Sequence, residues 1–279
     1  MTEAASKPCL VLGGKGFVGS AFVREAQRRG YQTLCVDKEE YAAACGSACQ
    51  LLINANGNSK KYLAAQNPML EFDLSVRSVL HSLHDFKTAR YVYLSSMDVY
   101  YPDVQLQETN AEDKPISCER QSPYGCHKFL AEQVVRQHAK DWLVFRMGGF
   151  VGQGLWKNSV FDLLTGQPLR VHPDSCYQYL NTADLARIVL DMAEREDVRN
   201  DTFNIAGEGL ISLRDVAALI PGRRIEPLWE TLPAERYELN TAKLRSWTHL
   251  PATRDTVQAF VRDWLAAQAA GRQHLRGAS

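Results

Sequence analysis

The apolar run Cys9-Leu10-Val11-Leu12 breaks into Gly13-Gly14-Lys15-Gly16-Phe17-Val18-Gly19, and a helical pattern then occupies 17–29. A strand that turns through glycines at this spacing into a helix has few folds open to it. The bare backbone turns tightly and presents a helix N-terminus, where a pyrophosphate is favoured. Gly13, Gly16 and Gly19, with Lys15, Phe17 and Val18 between them, are therefore candidate cofactor-binding positions. A second strand at 32–36 closes on Asp37. An acid at the end of the second strand bonds a ribose 2′-hydroxyl and repels a 2′-phosphate. The pattern points to NAD, with NADP the alternative because Lys15 and Lys38 offer ammonium groups to a phosphate.

Beyond this opening, short apolar runs alternate with helical patterns. Strands are expected at 50–55, 90–95 and 142–147, and helices around 39–48, over 68–86 and over 123–139. Such alternation marks an α/β chain with a doubly wound parallel sheet and helices on both faces. Pro102, Pro115 and Pro123 punctuate the stretch between Ser96 and Tyr124, a candidate substrate wall. After Arg146 the alternation lapses at Gly148, Gly149, Gly152, Gly154 and Gly166. Residues 1–147 thus read as a nucleotide-binding core and 148–279 mainly as a small substrate-binding subdomain, with a helix and strand within 182–206 returning to the core. Further helices are expected at 212–220 and 254–268.

The segment Ser122-Pro123-Tyr124-Gly125-Cys126-His127-Lys128 carries the chemistry. Positions i and i+4 share a helix face, so the Lys128 ammonium is expected beside the Tyr124 phenol. A neighbouring cation lowers a phenol from its ordinary pKa of about 10, which makes it a usable acid/base near neutrality. Ser96, at the end of the strand Tyr91-Val92-Tyr93-Leu94-Ser95, is placed to hydrogen-bond the substrate oxygen. Ser96, Tyr124 and Lys128 are the expected catalytic residues, and with the glycine-rich turn they indicate hydride chemistry on a bound nicotinamide.

Charge excludes some partners. Lysines and arginines number 32, as do aspartates and glutamates, so no long-range field favours nucleic acid or an anionic membrane. No apolar run is long enough to cross a bilayer, and a soluble, cytoplasmic protein is expected. Seven scattered cysteines, an odd number, suit a reducing compartment. Cys45 and Cys49 form a close pair without further ligands at zinc spacing, so no metal is expected.

The ordered motifs, continued by Ala55-Asn56-Gly57, Ser95-Ser96-Met97-Asp98-Val99-Tyr100, Asn181-Thr182-Ala183-Asp184 and Phe203-Asn204-Ile205-Ala206-Gly207, resemble the extended short-chain dehydrogenase/reductase superfamily and its NAD-dependent epimerase/dehydratase family. The resemblance implies a Rossmann-type sheet with a small C-terminal substrate-binding subdomain. It adds Ala55, Asn56, Gly57, Ser95, Tyr124 and Lys128 to the cofactor contacts. It implies a small-molecule substrate, a sugar or nucleotide sugar, and either net oxidoreduction of a secondary alcohol or ketone or epimerisation through a keto intermediate. A non-catalytic nucleotide sensor or scaffold is the third alternative. Family members often pair through the helix bearing Tyr124 and the long helix before it, so Leu80, Leu83, Phe129 and Val134 are expected either to contribute to a homodimer or to pack on their own sheet.

The chain also departs from that family. Asp37 and Ala55 stand only 18 positions apart, so an edge strand is expected to be shortened or missing. Met97-Asp98 replaces the Asp-Glu pair of dehydratases, which argues against dehydration. Arg146-Met147-Gly148-Gly149 lacks the family's asparagine and tyrosine, and Tyr177-Gln178 stands where a diphosphate-gripping arginine is usual. Asp98, Met147, Gly149, Trp156, Tyr177 and Gln178 are the candidate substrate contacts, with Tyr179 and Trp229 as further aromatic walls.

Overall fold

The structure, a computed structural model, describes residues 7–58, 61–105, 107–225 and 232–271. In chain order the elements are β1 (Pro8–Leu12), α1 (Gly19–Arg28), β2 (Gln32–Val36), α2 (Tyr41–Ala44), β3 (Ala48–Asn54), α3 (Lys61–Gln66), α4 (Pro68–Phe72), α5 (Ser78–Asp85), β4 (Lys87–Ser96), α6 (Pro123–His138) and β5 (Trp142–Met147). There follow β6 (Gly149–Val151), α7 (Ser159–Thr165), β7 (Cys176–Tyr177), β8 (Tyr179–Asn181), α8 (Thr182–Ala193), β9 (Asp201–Ile205), β10 (Ile211–Ser212), α9 (Leu213–Ala218), β11 (Arg236–Tyr237), α10 (Ala242–Arg245) and α11 (Thr253–Ala269). The chain divides into two compact units, one of Met1–Pro102, Glu112–Met147 and Ala186–Phe203, the other of Asp103–Ala111, Gly148–Leu185 and Asn204–Ser279.

The first unit is built on a six-stranded sheet of order β2-β1-β3-β4-β5-β9. The pairings from β2 to β5 are parallel, with Leu12 opposite both Val36 and Asn54, and Ser96 opposite Met147. The C-terminal ends of these strands therefore lie along one edge, and the chain reverses direction between β1 and β3. Ligands of open α/β sheets bind at such a reversal. Only the four-residue α2 links β2 to β3, too little chain for another strand and its crossover. β2 is accordingly the sheet edge, and its Leu34 is 45% exposed. The missing edge strand expected from the Asp37–Ala55 spacing is thus a feature of the fold.

Leu10, Leu12, Leu52, Tyr91, Tyr93 and Val144 of the sheet pack with Val79 and Phe86 beside α5 and with Ala131 and Val135 of α6. Burial of each large apolar side chain contributes about 1.5–3 kcal/mol. Of the two settings open to them, Leu83 and Val134 take the second and pack partly buried against this core. The apolar side chains left exposed on the same stretch of helices are Met69, Leu70, Phe72, Leu74 and Leu130.

The single helix expected over 68–86 is three pieces. Asn67 caps α4 by accepting from Leu70 N at 3.1 Å, with Pro68 at the first helical position. A π-helical turn over Asp73–Arg77 then joins α4 to α5. Sequence periodicity does not register such a widened turn, which is frequent at functional sites. The N-terminus of α6 is fixed by Ser122, whose Oγ accepts from Gly125 N at 3.1 Å, and by Pro123. A Cβ at position 125 would lie 2.2 Å from the Asp98 carbonyl oxygen. Glycine there lets α6 seat directly on the turn that follows β4.

The second unit holds the parallel pair β6-β8 and the three-stranded β10-β7-β11 sheet. Its interior includes Leu163, Leu180, Leu213, Val257 and Phe260. Trp229 falls outside the described residues. No helix among the described residues is long and apolar enough to cross a membrane, and they contain no group of three potential metal ligands.

Candidate active site

The turn after β1 is closed by backbone. A Cβ at Gly19 would lie 2.1 Å from Gly13 O, and one at Gly13 would meet Asn56 N at 3.0 Å. The glycine turn and the end of β3 are therefore in contact across the sheet reversal, and the N-terminus of α1 stands open beside them. Asn56 and Gly57 are exposed there, while Ala55 N donates to Leu12 O at 3.0 Å. At the end of β2, Asp37 accepts from Lys15 N at 3.0 Å and holds Glu40 near its own backbone N–H. The Lys15 ammonium pairs with Glu40, and this carboxylate, with Glu39 and Asp37, raises its pKa. Lys15 is thus already matched by acids, and Lys38 is exposed. A cradle that a Cβ would fill and a carboxylate at the strand end fit a dinucleotide without a 2′-phosphate.

Ser96, Tyr124 and Lys128 are brought together at the ends of β4 and the start of α6. Ser96 Oγ donates to Asp98 Oδ2 at 2.7 Å and accepts from Asp98 N at 3.2 Å. Asp98, 4% exposed, also receives the Lys61 ammonium at 2.7 Å. It is therefore an ion-paired carboxylate that orients Ser96. Tyr124 is buried, and that burial raises its phenol well above the ordinary range; the charges of Asp98 and Glu71 raise it further, and the Ser96 hydrogen bond alone opposes them.

The expected pairing of Lys128 with the Tyr124 phenol is corrected by the structure. Lys128 Nζ donates to Tyr93 Oη at 3.2 Å and to Leu94 O at 3.4 Å, and burial brings its pKa down to about 8. The shared helix face is as expected, since Tyr124, Lys128 and Glu132 form one buried stripe. The stripe faces β4, and the phenol and carbonyl that β4 offers capture the ammonium.

Ser95 is 1% exposed and its hydroxyl donates to Glu132 Oε1 at 2.6 Å, so its side chain is committed away from a cofactor. Arg146 holds Glu132 through Nη2 at 2.8 Å and donates to Tyr100 Oη at 2.6 Å, a buried brace behind the site. Met147 ends β5 opposite Ser96. The remaining candidate substrate contacts belong to the second unit: Gly149 begins β6, Trp156 is exposed, Tyr177 donates to Glu235 at 2.9 Å, and Gln178 is buried with its Oε1 accepting from Leu239 N at 2.6 Å. Gln178 thus has a structural partner, and Tyr177 stacks on Tyr237 at 5.6 Å.

Sequence reasoning missed Glu71, Ser75, Tyr93, His127 and Glu132. Glu71, Ser75 and Val79 are all buried at four-residue intervals, so an acid on an apolar helical stripe was the available signal. Glu132 carried the same signal, four residues after Lys128.

The sequence profile of the NAD dependent epimerase/dehydratase family matches residues 9–206. Among curated proteins, the photosystem II assembly factor Ycf39 of Trieres chinensis is 21% identical over 224 residues, a match spanning 71% of this chain and 63% of that protein, under two thirds of its length. Among solved structures, MoeE5 in complex with UDP-glucose and NAD is similar with a TM-score of 0.76 at 17% identity, over 94% of this chain and 99% of that one. The UDP-glucose 4-epimerase of Thermotoga maritima with UDP-glucose is similar with a TM-score of 0.76 at 16% identity, over the same shares. The dTDP-4-dehydrorhamnose reductase of Bacillus anthracis in complex with NADP gives 0.75 at 15% identity, over 94% of this chain and 100% of that one.

Proposed function

The chain belongs to the NAD dependent epimerase/dehydratase family, and from that premise we propose that it is an NAD-dependent oxidoreductase acting on a secondary alcohol or ketone of a carbohydrate-like substrate. The observation that carries this reading is the convergence of Ser96, Tyr124 and Lys128 beside the glycine turn, at the C-terminal ends of the strands. NAD, when bound, supplies the centre that gives or takes hydride. In the reducing direction Tyr124 gives its proton to the substrate oxygen as the carbon gains hydride, and oxidation is the reverse. The Ser96 hydroxyl, turned from Asp98 to the substrate, orients that oxygen, and the Lys128 cation one helical turn away opposes the negative charge left on the phenol. Because burial keeps the Tyr124 phenol protonated, the free site is set to donate.

The acids around Lys15 favour NAD over NADP. Titration followed by nicotinamide fluorescence should give NADH binding at least roughly tenfold tighter than NADPH, one like-charge clash of about 1.4 kcal/mol. Equal affinities would remove the role given to Asp37. The same assay, preceded by release of any retained nucleotide on denaturation, separates the readings. Freely exchanging NADH supports net oxidoreduction. NAD retained through purification supports a keto-intermediate epimerase, the reading favoured by similarity to a UDP-glucose 4-epimerase. Binding of neither cofactor supports the scaffold reading, in keeping with the match to an assembly factor. The residues at 177 and 178 favour a substrate whose recognition does not depend on a diphosphate-gripping arginine.

Pairing of two copies is part of the same proposal. Exposed Met69, Phe72 and Leu74 from the 68–85 stretch, with Leu130 of α6, form the apolar set available to it. Light scattering should give a dimer that Phe72→Glu dissociates; a monomer at micromolar concentration removes the proposal.

A further inference from the structure

β2 borders the six-stranded sheet and, among the described strands, pairs with β1 alone. Gln32 N donates to Lys7 O at 3.0 Å, and Val36 O accepts from Gly13 N at 2.8 Å. Alternation along the strand therefore turns the backbone of Gln32, Leu34 and Val36 toward β1 and that of Thr33 and Cys35 outward. Among the described residues, no hydrogen bond engages the N–H or C=O of Thr33 or Cys35. Between them stands Leu34, 45% exposed, opposite Leu10 of the core. The four-residue α2 is too short to fold back over it.

An open edge is a template for another strand, and soluble proteins blunt it with lysine, proline, a bulge or a covering element. Gln32-Thr33-Leu34-Cys35-Val36 carries no charge and no proline, and its register with β1 is unbroken. A cavity of about 410 Å³ lies beside it, lined by Leu10, Gln32, Thr33, Leu34, Ser47 and Cys49, with room for an added side chain. Charge is confined to the two ends. Arg28, its side chain 68% exposed, stands before the strand, while Asp37, Glu39 and Glu40 outnumber Lys15 and Lys38 after it. A strand of the same sequence added antiparallel brings the arginine end of one copy to the acidic end of the other. Parallel addition would set acid against acid.

We propose that β2 is a pairing edge for a second copy of this chain, joined antiparallel about a two-fold axis at Leu34. Thr33 then faces the partner's Cys35, and Cys35 faces the partner's Thr33. Each of these pairs exchanges both of its N–H···O=C bonds, four in all. Leu34 meets the partner's Leu34 in the pair between them, the setting in which side chains approach most closely. Shifting the axis to Thr33 or Cys35 leaves one carbonyl per strand unmatched, because the Tyr31 and Asp37 N–H groups already donate to Ala26 O and to Glu40. The contact uses none of the residues given to the helical pairing above, which it would join two by two, and it does not depend on the catalytic reading. A five-residue edge is small beside the roughly 1,200–2,000 Å² of a standard interface, so half-association is expected near about 100 micromolar.

Two measurements test the proposal. In the first, Leu34→Cys and Gln32→Cys are incubated at high concentration with oxidised glutathione, which is reduced to two glutathione thiols for each disulfide formed between chains. Leu34→Cys should give a disulfide-linked dimer at least about fivefold faster than Gln32→Cys, since only position 34 meets itself across the axis. Equal rates overturn the proposal. In the second, amide hydrogen exchange of the unmodified chain is followed by NMR over a concentration series. The Thr33 and Cys35 amides should slow several-fold as concentration rises through the association range, and Leu34→Lys should abolish that change. Slow exchange that does not vary with concentration would mean that another part of this chain covers the edge, and it overturns the proposal. Fast exchange at every concentration does so too, and leaves the edge to a strand of a different protein. The second measurement needs no variant, so it decides the matter even if a substitution at position 34 fails to fold.

Discussion

Tyr124→Phe should lower turnover by about a thousandfold while leaving NADH binding within a fewfold of wild type. The substitution deletes one oxygen from a buried ring, so the packing of α6 on β4 is kept and only the proton-carrying group is lost. General acid–base catalysis by one side chain is worth about 10²- to 10⁴-fold, and here no second phenol takes its place: the Tyr93 oxygen accepts from Lys128. The wild-type pH profile carries a linked expectation. With the phenol held above its ordinary range, the reducing rate should stay flat as pH rises through neutrality. The oxidising rate, which needs the phenolate, should climb. Stopped-flow nicotinamide absorbance in both directions checks this, and a Phe variant retaining most of its turnover would discard Tyr124 as the proton carrier.

Lys128→Met should split function from stability. Turnover falls because the cation that offsets the phenolate is gone, yet the melting temperature should rise. The Lys128 pKa lies near 8 in the folded chain against an ordinary 10.5. Between those values the unfolded chain binds more protons, so wild-type stability increases with rising pH across that window; below it the buried charge costs roughly 3 kcal/mol. Removing the ammonium also removes its bonds to Tyr93 and Leu94, each worth about 1 kcal/mol. A net gain of about 1 kcal/mol, a few degrees in melting temperature, is expected near pH 7. It should pass through zero within the window and become a loss of about 2 kcal/mol at its upper end, where only the two lost hydrogen bonds remain. Calorimetry of the two proteins at several pH values decides it, and a variant less stable than wild type at pH 7 would mean that the ammonium is well solvated in the native state.

How much of this was legible depends on the range of the interaction involved. β1 and β5 run over Pro8–Leu12 and Trp142–Met147, as their apolar runs indicate, because a strand buried on both faces declares itself locally; the edge strand β2, Gln32–Val36, was marked instead by the glycine before it and the acid that closes it. The missing edge strand was legible for a similar reason: no crossover fits between Asp37 and Ala55. The 68–85 helix was legible only in outline. Its π-helical turn answers to packing against α6, which local periodicity does not encode. Whether Leu83 and Val134 face a partner chain or their own core, which takes them, was not legible, since an apolar helical residue looks the same in either setting.

The sequence by itself determined the strand–glycine–helix opening, the acid at the end of β2, and the placing of Tyr124 and Lys128 on one helical face. Each of these follows from covalent spacing and local backbone geometry. Only the tertiary structure decided which charges meet. Lys128 is taken by Tyr93 and Leu94, Asp98 by Lys61 and Ser96, and Glu71 by His127 from a helix 56 residues away. The protonation state of Tyr124 depends on those meetings, because in a buried site the field is set by neighbours contributed from distant segments and by the water that their packing excludes.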